Sequence, residues 1–102
     1  MKIKEVNDEH ILFDNGSKIT FEYEQECCEK NYADFKQLET IATFLNFEEP
    51  LDFEFTEGSG FRFGNKPSKM FFVPCYSEQN GYYSSEIEIH YNGKIVLKFD
   101  CE

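Results

Sequence analysis

The strongest constraint on the fold is a two-residue alternation of apolar and polar side chains, interrupted at intervals by turn signals. Ile11, Phe13, Ile19, Phe21 and Tyr23 alternate with polar residues on either side of Asp14-Asn15-Gly16. An Asn-Gly step supplies the positive φ of a tight turn, so this stretch reads as a β-hairpin. The glycosylation sequon Asn15-Gly16-Ser17 is accounted for by that turn. Lys2 to Val6 reads as a short strand at the hairpin edge. After Pro50, Leu51, Phe53 and Phe55 share one face, Glu57-Gly58-Ser59-Gly60 turns, and Phe61 and Phe63 return. Asn65 to Ser68 is a loop, and Lys69 to Tyr76 is apolar enough for a more buried strand. In the last hairpin a three-residue loop, Tyr91-Asn92-Gly93, pairs Ile89 with Ile95, Ile87 with Leu97 and Tyr83 with Cys101. It also sets Glu86 against Lys98, whereas a two-residue loop mismatches the faces.

One segment changes period. Phe35, Leu38, Ala42 and Leu45 recur at helical spacing, with Ile41 widening the stripe, Asp34 and Gln37 as a capping pair, and Asn46 and Pro50 as terminators. The spacing predicts a helix from Asp34 to Leu45. The expected fold is α+β: a single domain over residues 1–102, with a mostly antiparallel sheet of about six to eight short strands and one main helix packed on it.

Twenty Asp and Glu face ten Lys and Arg, a formal net charge of -10. Such a field repels nucleic acid and speeds encounter with a basic protein. Twelve Phe and six Tyr supply a ring-rich core. The N-terminus, Met1-Lys2-Ile3-Lys4-Glu5, runs straight into alternation without an apolar stretch fit for a signal peptide or membrane span, so a cytoplasmic protein is expected.

In that compartment Cys27, Cys28, Cys75 and Cys101 are expected to stay reduced. Two readings remain open for them. They form a thiolate set of the size a structural zinc needs, with His90 or His10 as substitutes, although paired C-x-x-C knuckles are missing. Alternatively they are small buried hydrophobes.

The acids cluster by alternation. Glu22, Glu24 and Glu26 are expected on one strand face, Asp52 and Glu54 on another, Glu86 and Glu88 on a third. Carboxylates two apart on a strand are about 6.6 Å apart along it, close to the roughly 6 to 7 Å between successive phosphates on one nucleic-acid strand. These seven residues are the candidate partner-binding set, either as a DNA mimic or as ordinary solvated faces. Neither His10 nor His90 has an adjacent Ser or Cys arrangement that defines a nucleophile and base, and Gly58-Ser59-Gly60 is too short for a phosphate loop. The expectation is a non-enzyme, ahead of a hydrolase built on scattered carboxylates and the histidines. Ser77 to Ser84, with Tyr82 and Tyr83, is either a recognition loop or an ordinary one with a ring in the core.

Two blocks, Phe21-Glu22-Tyr23-Glu24-Gln25-Glu26-Cys27-Cys28-Glu29 and Asn80-Gly81-Tyr82-Tyr83-Ser84, resemble a family of small proteins from phages and their bacterial hosts. That family is marked by D-Q-D-C-C-E after a hairpin and S-N-G-Y-Y-S before a strand. The chain departs from the pattern where Tyr23 replaces a common histidine and Glu24 and Glu26 replace aspartates, and Cys75 and Cys101 lie outside the shared blocks. The resemblance implies phage association, and a small acidic phage protein of this kind looks like an anti-CRISPR inhibitor. The implied partner is a type II RNA-guided nuclease, whose heteroduplex channel is basic. The rival reading is a metal-stapled structural or regulatory interaction module unconnected with CRISPR.

Overall fold

In the computed structural model, which describes residues 1–57, 60–79 and 81–101, nine strands form two antiparallel sheets. The first sheet contains β1 (Ile3–Val6), β2 (His10–Phe13), β3 (Lys18–Glu22), β8 (Glu86–Tyr91) and β9 (Lys94–Asp100), in the order β1-β2-β3-β8-β9. The second contains β4 (Lys30–Ala33), β5 (Asp52–Thr56), β6 (Gly60–Asn65) and β7 (Lys69–Glu78), in the order β4-β7-β6-β5.

The first hairpin forms as its pattern requires. Ile11 faces Ile19 across β2 and β3, Gly16 sits at φ 88°, and β1 lies on the outer edge. Phe53 pairs with Phe63 and Phe55 with Phe61 in the second hairpin, whose turn residues Gly58 and Ser59 lie outside the described residues.

The expected α+β architecture is overturned: the protein is nearly all β, and the predicted main helix is absent. Asp34 to Leu45 instead forms two short 3₁₀ turns, Phe35–Leu38 and Ala42–Phe44. The backbone shows why. Glu39, Ile41, Phe44 and Leu45 donate to Lys36, Leu38, Ile41 and Ala42, each three residues back rather than four. Asp34 makes no side-chain cap to the backbone, and twelve residues containing Thr40, Thr43 and Phe44 have little helical stability of their own. Phe35, Leu38, Ala42 and Leu45 are nonetheless all buried, whereas Ile41, expected to widen the stripe, is 41% exposed.

The last hairpin also closes differently from the expected three-residue loop. Asn92 (φ 53°) and Gly93 (φ 83°) form a two-residue turn, and Tyr91 pairs with Lys94. The register shift between Ile89 and His90 resolves the mismatch that a two-residue loop would create. A bulge at Val96 puts Ile89 opposite Leu97 and Ile87 opposite Phe99. Lys98 now stands opposite Glu88 rather than Glu86, and its ammonium lies 3.6 Å from Glu86 and 3.9 Å from Glu88.

Rings join the two sheets. Phe13 of β2 meets Phe63 of β6 edge-on at 6.5 Å, and Phe99 of β9 lies 5.0 Å from Phe55 of β5 and 6.4 Å from Phe61 of β6. Phe47, in the connection from β4 to β5, contacts Phe13, Phe63 and Phe71. Each such pair contributes about 0.5–1.5 kcal/mol beyond its area burial.

Candidate functional site

The outward face of β3 and β8 carries the densest charge. Alternation puts Ile19, Ile87 and Ile89 in the core and turns Thr20, Glu22, Glu86, Glu88 and His90 outward. Glu22 stands directly opposite Glu88, and Thr20 opposite His90. Beyond Glu22 the chain leaves the sheet, so Glu24 and Glu26 are not on the strand face expected for them. They belong to the loop before β4, which folds back over the same end of β8. The result is a recess of about 340 Å³ lined by Glu22, Tyr23, Glu24, Glu26, Ser84, Glu86, Glu88 and Lys98. Two of the three predicted acidic groups therefore converge, with one ammonium among five carboxylates.

The third group does not join them. Asp52 and Glu54 sit on β5 in the other sheet. Glu54 is in direct contact with Arg62 and lies 3.5 Å from Lys66. The hydrogen bond from Arg62 holds its carboxyl below the usual range. Asp52 accepts the backbone N–H of Lys66 at 2.9 Å. These acids are engaged within their own hairpin.

Two residues that sequence reasoning passed over shape the recess. Glu29 is buried, and its Oε1 accepts the backbone N–H groups of Glu26 at 3.0 Å and Cys27 at 2.9 Å. This internal clamp holds the acidic loop. Gln25 adds two side-chain donations, to the carbonyls of Cys27 and Glu29. Asn31, also buried, donates from Nδ2 to the carbonyls of Ser84 (2.9 Å) and Glu86 (3.2 Å), tying β4 to the start of β8. A buried polar side chain must find partners: Asn31 also accepts from Ser77 Oγ through its Oδ1, whereas Glu29 is satisfied at Oε1 alone, its Oε2 being buried without a partner. Nothing in local pattern separates them from surface acids and amides; only the position of Glu29 inside the Cys-Cys-Glu block marked it.

The four cysteines do not form one donor set among the described residues. Cys27 and Cys28 are neighbours in the acidic loop, with their sulfur atoms side by side. Cys75 lies in β7 opposite Ala33, and Cys101 follows β9, with its N–H donated to the carbonyl of Ser85. Both are buried free thiols. Burial, helped by the neighbouring Cys101, pushes the Cys75 thiol far above its ordinary range, and burial raises that of Cys101 to about 12. Among the described residues, the one group of three metal-capable side chains whose ligand atoms lie within 4.8 Å of one another is Glu22, Glu88 and His90.

No family model, curated protein or solved structure matches the chain.

The histidines do not meet a nucleophile among the described residues. His90 Nε2 lies 3.1 Å from Glu88, while His10 Nε2 contacts Glu5 and Asn7 at 3.3 Å each. The loop from Ser77 to Ser84 is knitted by its own side chains: Gln79 donates to Ser77 Oγ at 2.6 Å and accepts from Tyr83 N–H at 2.7 Å. Asn80 lies outside the described residues. Tyr82 is exposed and Tyr83 half-buried. No helix among the described residues is long and apolar enough to cross a membrane.

Proposed function

We propose that the protein is a phage anti-defence protein whose acidic recess occupies a basic, nucleic-acid-handling surface of a type II RNA-guided nuclease and keeps DNA from loading. The single observation that carries this reading is the convergence of Glu22, Glu24, Glu26, Glu86 and Glu88 around one recess, with Lys98 as its only ammonium. A patch of that charge attracts Arg and Lys side chains and steers their approach. The channel that holds a guide–target heteroduplex is lined with such side chains. Glu86 and Glu88, two apart on β8, present carboxylates at about phosphate spacing, and the clamp from Glu29 fixes the loop that supplies Glu24 and Glu26. Resemblance of the acidic Cys-Cys-Glu block and the Tyr82-Tyr83 block to phage proteins favours this partner over other basic proteins.

The action is binding rather than catalysis. Its test is a mobility-shift assay of target DNA with guide-loaded type II nuclease, with and without the protein. The expected result is loss of DNA binding by the nuclease, restored by the triple charge reversal Glu22→Lys, Glu24→Lys and Glu26→Lys. DNA loading that is indifferent to the wild-type protein rejects the CRISPR assignment. Capture from lysate of a different basic protein, dependent on the same glutamates, would move the function to a regulatory interaction module.

A further inference from the structure

We infer that Glu22, Glu88 and His90 form a binding site for one divalent transition-metal ion of the zinc class. The site shares Glu22 and Glu88 with the acidic recess, but it does not rest on the docking proposal. The donors are already assembled: their ligand atoms lie within 4.8 Å of one another, and the His90 Nε2 to Glu88 Oε1 separation is 3.1 Å. A tetrahedral ion with bonds of about 2.0–2.2 Å places its ligands roughly 3.3–3.5 Å apart. The His90–Glu88 pair nearly meets that spacing, and a carboxylate oxygen of the exposed Glu22 lies within 4.8 Å of both.

The backbone presets the set. Glu88 and His90 are two apart on the same face of β8, and Glu22 is the register partner of Glu88. His90 is held in place, its side chain only 13% exposed, so ordering it for a metal costs little further entropy.

A second, independent observation is uncompensated charge. Like charges directly opposite on neighbouring strands destabilise a sheet, yet Glu22 faces Glu88. Lys98 is divided between Glu86 at 3.6 Å and Glu88 at 3.9 Å, and Glu22 forms no ion pair among the described residues. A dication supplies what Lys98 does not. The imidazole nitrogen selects zinc, cobalt or nickel over magnesium and calcium, which prefer all-oxygen sets. Three protein ligands leave a position for water or for a donor from a partner.

The test is calorimetric titration of chelator-stripped, dialysed full-length protein with Zn²⁺, followed by Co²⁺, Mg²⁺ and Ca²⁺. The expected result is one Zn²⁺ or Co²⁺ per chain, no saturable binding of Mg²⁺ or Ca²⁺, and affinity at least about tenfold weaker in His90→Ala and in Glu88→Gln. The double variant Cys27→Ser, Cys28→Ser should bind as wild type. Absence of saturable Zn²⁺ and Co²⁺ binding overturns the site. So does unchanged affinity in His90→Ala, or thiolate-to-cobalt charge-transfer absorption. Should a variant fail to fold, Co²⁺-induced shifts in wild-type NMR spectra decide: they should centre on Glu22, Glu88 and His90, and shifts centred elsewhere refute the inference. Metal-free protein is used in the docking assay, so either idea can fail alone.

Discussion

Glu22 and Glu88 occupy directly paired positions on adjacent antiparallel strands, two like charges facing each other across the sheet. A fold that needed only stability would not favour that pairing. The same two residues line the acidic recess and belong to the one compact donor set among the described residues.

Replacing Glu22 with Gln should therefore stabilise the metal-free protein. The expected gain is about 0.2–1 kcal/mol at low ionic strength, shrinking as salt screens the repulsion. Urea denaturation at two salt concentrations measures it. Loss of stability on this substitution would show that Glu22 is held by contacts other than this repulsion.

Removing the clamp beneath the loop should act in the opposite direction. Glu29→Ala leaves the backbone N–H groups of Glu26 and Cys27 without their acceptor, at a cost of about 1–3 kcal/mol. Hydrogen exchange should rise at Glu26 and Cys27 in particular. Protection at those two amides equal to wild type would contradict the clamp.

Packing gives a paired prediction. Phe47 is buried against Phe13, Phe63 and Phe71, so Phe47→Ala should cost about 3–5 kcal/mol. Phe44, three residues earlier and 84% exposed, should change stability by no more than about 0.5 kcal/mol when cut to Ala. Denaturant midpoints of the two variants check the contrast.

Alkali should weaken the fold. Burial raises the Cys101 thiol from 9.0 to about 12. Burial and the 2.6 Å hydrogen bond to Glu49 raise Tyr91 from 10.0 to about 12. A group whose pKa is higher folded than unfolded contributes its full stabilisation below the unfolded value and loses it as pH rises toward the folded one. Stability should thus be flat with respect to these groups below pH 9 and fall between pH 9 and about 12. Melting temperatures across that range report it. Native Cys75 and Cys101 should likewise resist alkylation at pH 8 and react on unfolding.

Most strands were legible because burial on one face imposes a period of two, and Asn15-Gly16 and Asn92-Gly93 mark their turns. The helix was misread because a spacing of three, four and three between Phe35, Leu38, Ala42 and Leu45 specifies which side chains are buried, not whether bonds close over three residues or four. β4 was missed since Lys30-Asn31-Tyr32-Ala33 is short and has little alternation of its own. The acidic site was half legible. Strand pattern located Glu22, Glu86 and Glu88, but only the fold of the loop around Glu29 could bring Glu24 and Glu26 to them and leave Asp52 and Glu54 with Arg62 and Lys66.

The most direct test of the docking account is the association rate of the protein with a guide-loaded type II nuclease, measured over a salt series. The account predicts saturable binding whose rate falls steeply with ionic strength and is strongly reduced by reversing Glu22, Glu24 and Glu26 to Lys. No binding at low salt, or binding whose rate ignores both salt and those reversals, would contradict it.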